Sequence, residues 1–171
     1  KNNFFEKFEN YDFELWQKSL DGNLSSFFIA TKAVANFMLK RKKGSIINIA
    51  SDVGIISPDH RIYEANKKIN YKGVNFNTPI SYSVAKSGII SMTRYLATLW
   101  AKKGIRVNCI SPAGVYKKHD RKFVEQLSQR IPLGRMAKPH ELNGAIVYLC
   151  SNASSFVTGH NLIVDGGRTI W

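Results

Sequence analysis

Two joined segments decide the fold: Ser81-Tyr82-Ser83-Val84-Ala85-Lys86-Ser87-Gly88-Ile89-Ile90, which opens a long apolar-periodic stretch, and Ile105-Arg106-Val107-Asn108-Cys109-Ile110-Ser111-Pro112, which follows it. In the first stretch Val84, Ile89, Ile90, Met92, Leu96, Leu99 and Trp100 recur at helical spacing, which predicts a helix over 80–103 with those residues on its buried side. The second is a β-branched run closed by Ser-Pro, as expected of a buried strand over 105–110.

The pattern repeats upstream. Residues 12–43 read as one long helix, with Leu15, Leu24, Phe27, Phe28, Val34, Phe37 and Met38 at threes and fours. Gly22-Asn23 interrupts it, and a glycine there costs about 1 kcal/mol relative to alanine. Gly44 reads as its stop, and Ser45–Ala50 as a short parallel strand. Downstream, 120–130 and 139–151 read as helices, the second opened by Pro139, where the missing N–H costs nothing. Leu162-Ile163-Val164 is a last strand. Strands alternating with helices imply βαβ crossovers and a parallel sheet covered on both faces, with ligands beyond the carboxyl ends of the strands. Ser51 and the run Pro112 to Val115 belong on that edge. Residues 52–79 show no clear period; they are polar, basic and aromatic, and a loop of that length inside a domain is usually functional.

The chain has 171 residues, 44% of them apolar and 22% charged, which fits one domain and excludes disorder, collagen and coiled coil. No apolar run approaches the roughly 20 residues of a membrane span. The 25 Lys and Arg against 12 Asp and Glu give a net charge of +13. These cations fall in separate clusters without aromatic interleaving, so a lysine-rich surface is expected rather than a nucleic-acid or membrane partner. Cys109 and Cys150 lie in apolar stretches and read as two buried thiols, in keeping with a reducing, cytoplasmic compartment.

Tyr82 and Lys86 are four apart, on one helix face. An ammonium beside a phenol favours the phenolate and lowers its pKa from about 10, which suits general acid–base work. Ser51, at a strand end facing that helix, is placed to hydrogen-bond a carbonyl oxygen. Tyr63 and Lys67 repeat the same spacing inside the polar segment. Context separates the two pairs: Tyr82 opens a long amphipathic helix, and geometry is best held on a rigid element. A serine hydrolase is disfavoured, since Ser51 is flanked by Ile49 and Val53 where a nucleophile elbow needs glycines. His60, His119, His140 and His160 are scattered without partners, so no metal is expected.

Asn23, the strand end Ser51-Asp52-Val53-Gly54, Tyr82-Ser83-Val84-Ala85-Lys86, Arg106 to Pro112, Pro132-Leu133-Gly134-Arg135-Met136 and the tail Val157-Thr158-Gly159 to Asp165-Gly166-Gly167 come in one order. In that order the sequence resembles the short-chain dehydrogenase/reductase family over residues 12 to 168. The resemblance implies a Rossmann-like, doubly wound α/β fold, NAD or NADP as cofactor, a carbonyl or alcohol substrate, and assembly as a homodimer or homotetramer. It implies that Tyr82 is the acid/base and Lys86 holds the nicotinamide ribose. Ser51 would polarise the carbonyl, and Asn23 would hold a water linking Lys86 to solvent. Pro112, Ala113, Gly114 and Val115 would cover the nicotinamide.

Three departures bear on this. The family's glycine-rich phosphate loop and its Asn-Asn-Ala-Gly strand are absent, so residues 1–171 read as one incomplete domain lacking the N-terminal βαβαβ part. As it stands the chain is expected to bind dinucleotide poorly. Lys117 stands where the family's pyrophosphate-binding threonine would be. Ser51 and Tyr82 are 31 positions apart, wider than usual, and Tyr63 lies nearer the usual separation. The extra residues would border the substrate pocket, where His60, Arg61, Lys67 and Lys68 suit a polar, sugar-like or anionic substrate. The pattern is similar to family members of bacterial surface-sugar and flagellin-modification pathways. A 3-ketoacyl-type reductase is one alternative. An inactive fragment or a non-catalytic oligomerising subunit is another, with Phe27, Ile29, Leu96 and Trp100 as interface.

Overall fold

The computed structural model describes residues 4–64, 70–71 and 74–171. Lys67, Lys68 and Gly73 lie outside them. In chain order the elements are α1 (Phe13–Leu20), α2 (Ser26–Arg41), β1 (Gly44–Ile49), α3 (Arg61–Glu64), β2 (Asn70–Tyr71), β3 (Val74–Asn75), α4 (Ile80–Trp100), β4 (Ile105–Pro112), α5 (Arg121–Ser128), α6 (Asn143–Cys150) and β5 (Asn161–Val164). The main sheet is parallel, ordered β1-β4-β5, with Gly44 beside Ile105 and Cys109 beside Asn161. β2 and β3 form a separate antiparallel hairpin inside the 52–79 segment.

Strand alternation assigns the two faces. Ile105, Val107 and Cys109 are buried against one helical layer: Ala35, Ala97 and Trp100 pack on Ile105 and Val107, and Ile89 and Ile90 on Cys109. On the other face, Arg106 donates to the carbonyl oxygens of Leu149, Ser151 and Val157, and Asn108 donates to Val157 O. Helices on both faces of a parallel sheet make the fold α/β, Rossmann-like and doubly wound. No helix among the described residues is long and apolar enough to cross a membrane.

The expected helix over 12–43 is α1 and α2 joined by a π-helical segment, Asp21–Ser25, that contains Gly22 and Asn23. Its stop is Lys42, which takes the left-handed conformation at φ 48°, and Gly44 already belongs to β1. The buried face of α2 is also narrower than its apolar pattern predicts: Thr31 and Ala35 are buried, whereas Phe28, Val34 and Phe37 are exposed. Short side chains let the middle of the helix lie close on the sheet, while Phe27, Met38 and Leu39 pack beside the core clusters. Ala85, Ile89, Thr93, Ala97 and Trp100 form the inner stripe of α4, while Val84 and Leu99 are exposed.

Of the residues considered as interface, Trp100 is core and Phe27 and Leu96 pack against core clusters; Ile29 is exposed. The cysteines divide in the same way. Cys109 is buried, but Cys150 is exposed, because on α6 the inward position belongs to its neighbour Leu149. The run Ala145–Cys150 is therefore not a core segment as a whole, since Val147 and Tyr148 are also exposed.

Candidate active site

At the carboxyl end of β1 the chain leaves the sheet through Ala50, whose N–H still bonds Ile110 O at 2.8 Å, and places Ser51 at the edge in extended conformation. It then turns through a 3-10 segment, Asp52–Gly54, against α4. The approach is tight: a Cβ on Gly54 would stand 2.8 Å from the Lys86 carbonyl carbon. Ser87 Oγ donates to Gly54 O at 2.9 Å and fixes the contact. Glycine at 54 thus sets the spacing between the serine turn and the helix that carries Tyr82 and Lys86.

α4 starts after Pro79, with the Tyr82 N–H bonded to Pro79 O at 3.1 Å. Ser81 is fully buried and hydrogen-bonded to Ser19 and Tyr11, which pins this first turn to α1 and the N-terminal segment. One turn later Lys86, also buried, donates to Ile49 O at 3.0 Å. Its Nζ lies 5.4 Å from the centre of the Tyr82 ring and 5.5 Å from that of Phe27. An ammonium has three donors, and among the described residues one of them is engaged, which leaves two for a ligand.

The electrostatics differ from expectation. The Tyr82 phenol is pushed up, not down: burial is the main cause, the Ser51 hydroxyl beside it opposes, and the charge of Asp52 adds to the rise. Burial also pushes the Lys86 ammonium down. Lys86 sits over the ring face rather than at the phenol oxygen, so it does not win against desolvation. A phenol protonated at neutral pH is a proton donor.

Ser51, Tyr82 and Lys86 line one cavity of about 370 Å³ together with Pro112, Ala113, Gly114 and Val115 from the end of β4. The structure therefore brings together seven of the eight residues singled out in the sequence. The eighth, Asn23, is in the π-helical segment, where its Nδ2 donates to Ser19 O at 2.9 Å, and it does not line this cavity. Lys117 also lines it and is otherwise exposed.

Of the other lining residues, sequence reasoning weighed Tyr63 as the rival phenol and missed the rest. Ile62 and Tyr63 come from α3, Phe123 and Leu127 from α5, and Arg168 from the turn after β5. α3 packs on α5 through Ile62 and Leu127, with Ile131 and Met136 beyond α5 in the same cluster; Asp59, just before α3, pairs with Arg61 at 2.8 Å and, across this contact, with Arg130 at 2.5 Å. The wide Ser51–Tyr82 separation was the only signal, and it showed that something borders the pocket but not what.

Known proteins match this chain over its whole length. The profile of the short chain dehydrogenase family matches residues 3–69, and that of the enoyl-(acyl carrier protein) reductase family matches residues 69–169. The 2-dehydro-3-deoxy-D-gluconate 5-dehydrogenase of Bacillus subtilis is 36% identical over 95% of this chain and 59% of its own length. A short chain dehydrogenase from Leptospira borgpetersenii, solved with bound NAD+, superposes with a TM-score of 0.87 at 35% identity, covering 99% of this chain and 63% of that one. A gluconate 5-dehydrogenase from Burkholderia cenocepacia, solved with NADP and tartrate, gives 0.80 at 28% identity, covering 98% and 61%. The chain thus spans about three fifths of the length of these relatives. With the family profiles matched end to end and the serine, tyrosine and lysine converging on one cavity, this chain belongs to the short-chain dehydrogenase/reductase family.

Proposed function

We propose that the protein to which this chain belongs is an NAD(P)-dependent oxidoreductase that interconverts a carbonyl and an alcohol. The observation that carries this reading is the convergence of Ser51, Tyr82 and Lys86 on one cavity at the carboxyl edge of the sheet. Bound NAD(P) would supply or accept the hydride. The chain's residues fit its nicotinamide half: Lys86 has donors for ribose hydroxyls, and Pro112 to Val115 form the wall behind them. Tyr82, protonated at neutral pH, gives its proton to the carbonyl oxygen in the direction of reduction and takes it back in oxidation. Ser51 holds the reacting oxygen in place. Asn23, in its helical interruption, connects the Lys86 side of the site to solvent.

The substrate is a polar, sugar-like molecule. A second cavity of about 460 Å³ adjoins the first across Val53 and Thr78, and Ser57, His60, Asn77 and Ser83 line it. Ser83 Oγ is buried without a partner among the described residues, ready for a ligand hydroxyl. The relatives named for gluconate and dehydro-deoxygluconate support the same class. A role in modifying bacterial surface sugars or flagellin is the finer form of this reading. A 3-ketoacyl substrate is the alternative, favoured by the likeness to 3-oxoacyl-(acyl-carrier-protein) reductases, 33% identical in Thermotoga maritima. Exposed Phe28, Ile29, Phe37 and Tyr95 support self-association into a homodimer or homotetramer, and the two free cysteines fit a reducing cytoplasm.

The test is dinucleotide binding by the product of the full reading frame, followed by a panel of sugars, polyols and 3-ketoacyl thioesters. Binding with turnover of a polyol or sugar acid is expected. Turnover confined to ketoacyl thioesters would favour the alternative. Absence of binding would leave the non-catalytic subunit.

A further inference from the structure

Behind Ser51 lies an arrangement that the reaction as described does not use. The single proton of Ser51 Oγ goes to Asp52 Oδ1 at 2.8 Å, and the Val53 N–H bonds the same oxygen at 2.8 Å. The other carboxylate oxygen, Oδ2, takes the guanidinium of Arg168. Ser51, Asp52 and Arg168 are 8%, 3% and 8% exposed. Arg168 comes from 116 positions away, on the turn after β5. That turn is itself built: Gly166 and Gly167 have φ of 66° and 92°, and the Asp165 carboxylate accepts from the N–H groups of Gly167 and Thr169.

A buried ion pair is weak evidence for stability, because desolvating two charges costs several kcal/mol and an apolar pair of similar volume often does as well. An apolar pair could not accept the Ser51 proton. We propose that the Asp52–Arg168 pair is a positioning device that sets the direction of the Ser51 hydroxyl toward the reacting phenol. With no substrate bound, Asp52 accepts the hydrogen bond of the serine hydroxyl while Tyr82 is protonated, so Ser51 faces the phenol with a lone pair; a substrate oxygen draws the same hydroxyl to itself. When Tyr82 has given up its proton, the same hydroxyl turns and donates to the phenolate. Arg168 pairs with Asp52 Oδ2 and so fixes the carboxylate with Oδ1 turned to Ser51. Asp52 and Arg168 are positioning residues, and the proposal rests on Tyr82 as proton donor.

The test follows the Tyr82 phenol itself in the product of the full reading frame, by NMR titration of 13Cζ-labelled tyrosine, which needs no substrate. Charged or titratable groups around it are Lys86 on α4, Asp52 on the serine turn, Tyr63 on α3, Cys109 on β4, Lys117 after β4 and Arg168. In Asp52→Val/Arg168→Leu the Tyr82 midpoint should fall by about half a pH unit or more, because a like charge is gone and the serine proton is free for the phenolate. Arg168→Lys keeps the cation and should leave the midpoint where it is. Should the double variant not fold, Asp52→Asn replaces it, with the same downward shift expected because the like charge is gone while the Arg168 cation stays. Midpoints equal to wild type in all folded variants, with only melting temperature lowered, would show a structural pair and overturn the proposal. A fault in the Tyr82 reading would instead appear as retained turnover in Tyr82→Phe, whatever the titration gives.

Discussion

Tyr63 and Tyr82 stand at the same spacing from a lysine, and both line the same cavity, yet their surroundings differ. Tyr63 is on a one-turn helix, its Oη spent on Thr78 Oγ1 at 2.6 Å and its ring stacked on Phe123 at 5.7 Å and edge-on to Phe76 at 5.5 Å. Tyr82 is on a 21-residue helix whose inner stripe is core, with Lys86 one turn on and Ser51 opposite. The first phenol is a wall tile held by its neighbours; the second faces an opening. The contrast teaches that the spacing Tyr-x-x-x-Lys means little until a rigid element aims it at something.

The largest test of that contrast is Tyr82→Phe, which should lower turnover of the full-length protein by about a thousandfold or more, in the range removed with a general acid, while thermal melting stays near wild type. Lys86→Ala should come next. Loss of its donors should weaken dinucleotide affinity and lower kcat together, by about a hundredfold, seen in binding isotherms and steady-state rates. Gly54→Ala forces a methyl toward the Lys86 backbone, so the serine turn and α4 must part. About 1–3 kcal/mol of stability and roughly tenfold in kcat should be lost, measured by denaturant unfolding and initial rates. Tyr63→Phe should cost only the Thr78 hydrogen bond, about 1 kcal/mol, with kcat within a few-fold of wild type.

Acid gives the smallest difference between the two regions. The guanidiniums of Arg61 and Arg130 hold the Asp59 carboxyl well below the usual carboxylate range, and Arg135 holds Glu141 at about 2. What such depressed groups contribute is complete above the unfolded-state value of about 4 and is lost as pH falls through the folded-state value. Between pH 4 and about 2, the Tyr63 segment anchored by Asp59 should therefore loosen before α4 does, visible as earlier loss of Tyr63 than Tyr82 NMR signals.

The same contrast explains what was legible in the sequence. α4 and β4 are long, periodic and bounded by Pro79 and Pro112, so their existence, and with it which of their residues reach the cavity, could be read directly. The inner face of α2 could not, because its fully buried positions are Thr31 and Ala35, while Phe28, Val34 and Phe37, which share the apolar periodicity, lie outside. Cys150 followed the same error, since an apolar run does not say which member faces in. The direction of the Tyr82 shift depends on burial, and Arg168 reaches Ser51 through Asp52 only after folding; neither leaves a local pattern. Asn23 was placed in the correct irregularity, although its side chain turns to Ser19.

The role proposed for Tyr82 is to serve the reacting oxygen. The most direct measurement is a crystal structure of the full-length protein with NAD(P)H and an inert analogue of the carbonyl substrate. The analogue's oxygen is expected within about 3 Å of Tyr82 Oη, on the side facing Ser51. An oxygen seated instead against Tyr63 Oη, with Tyr82 out of reach, would contradict the account.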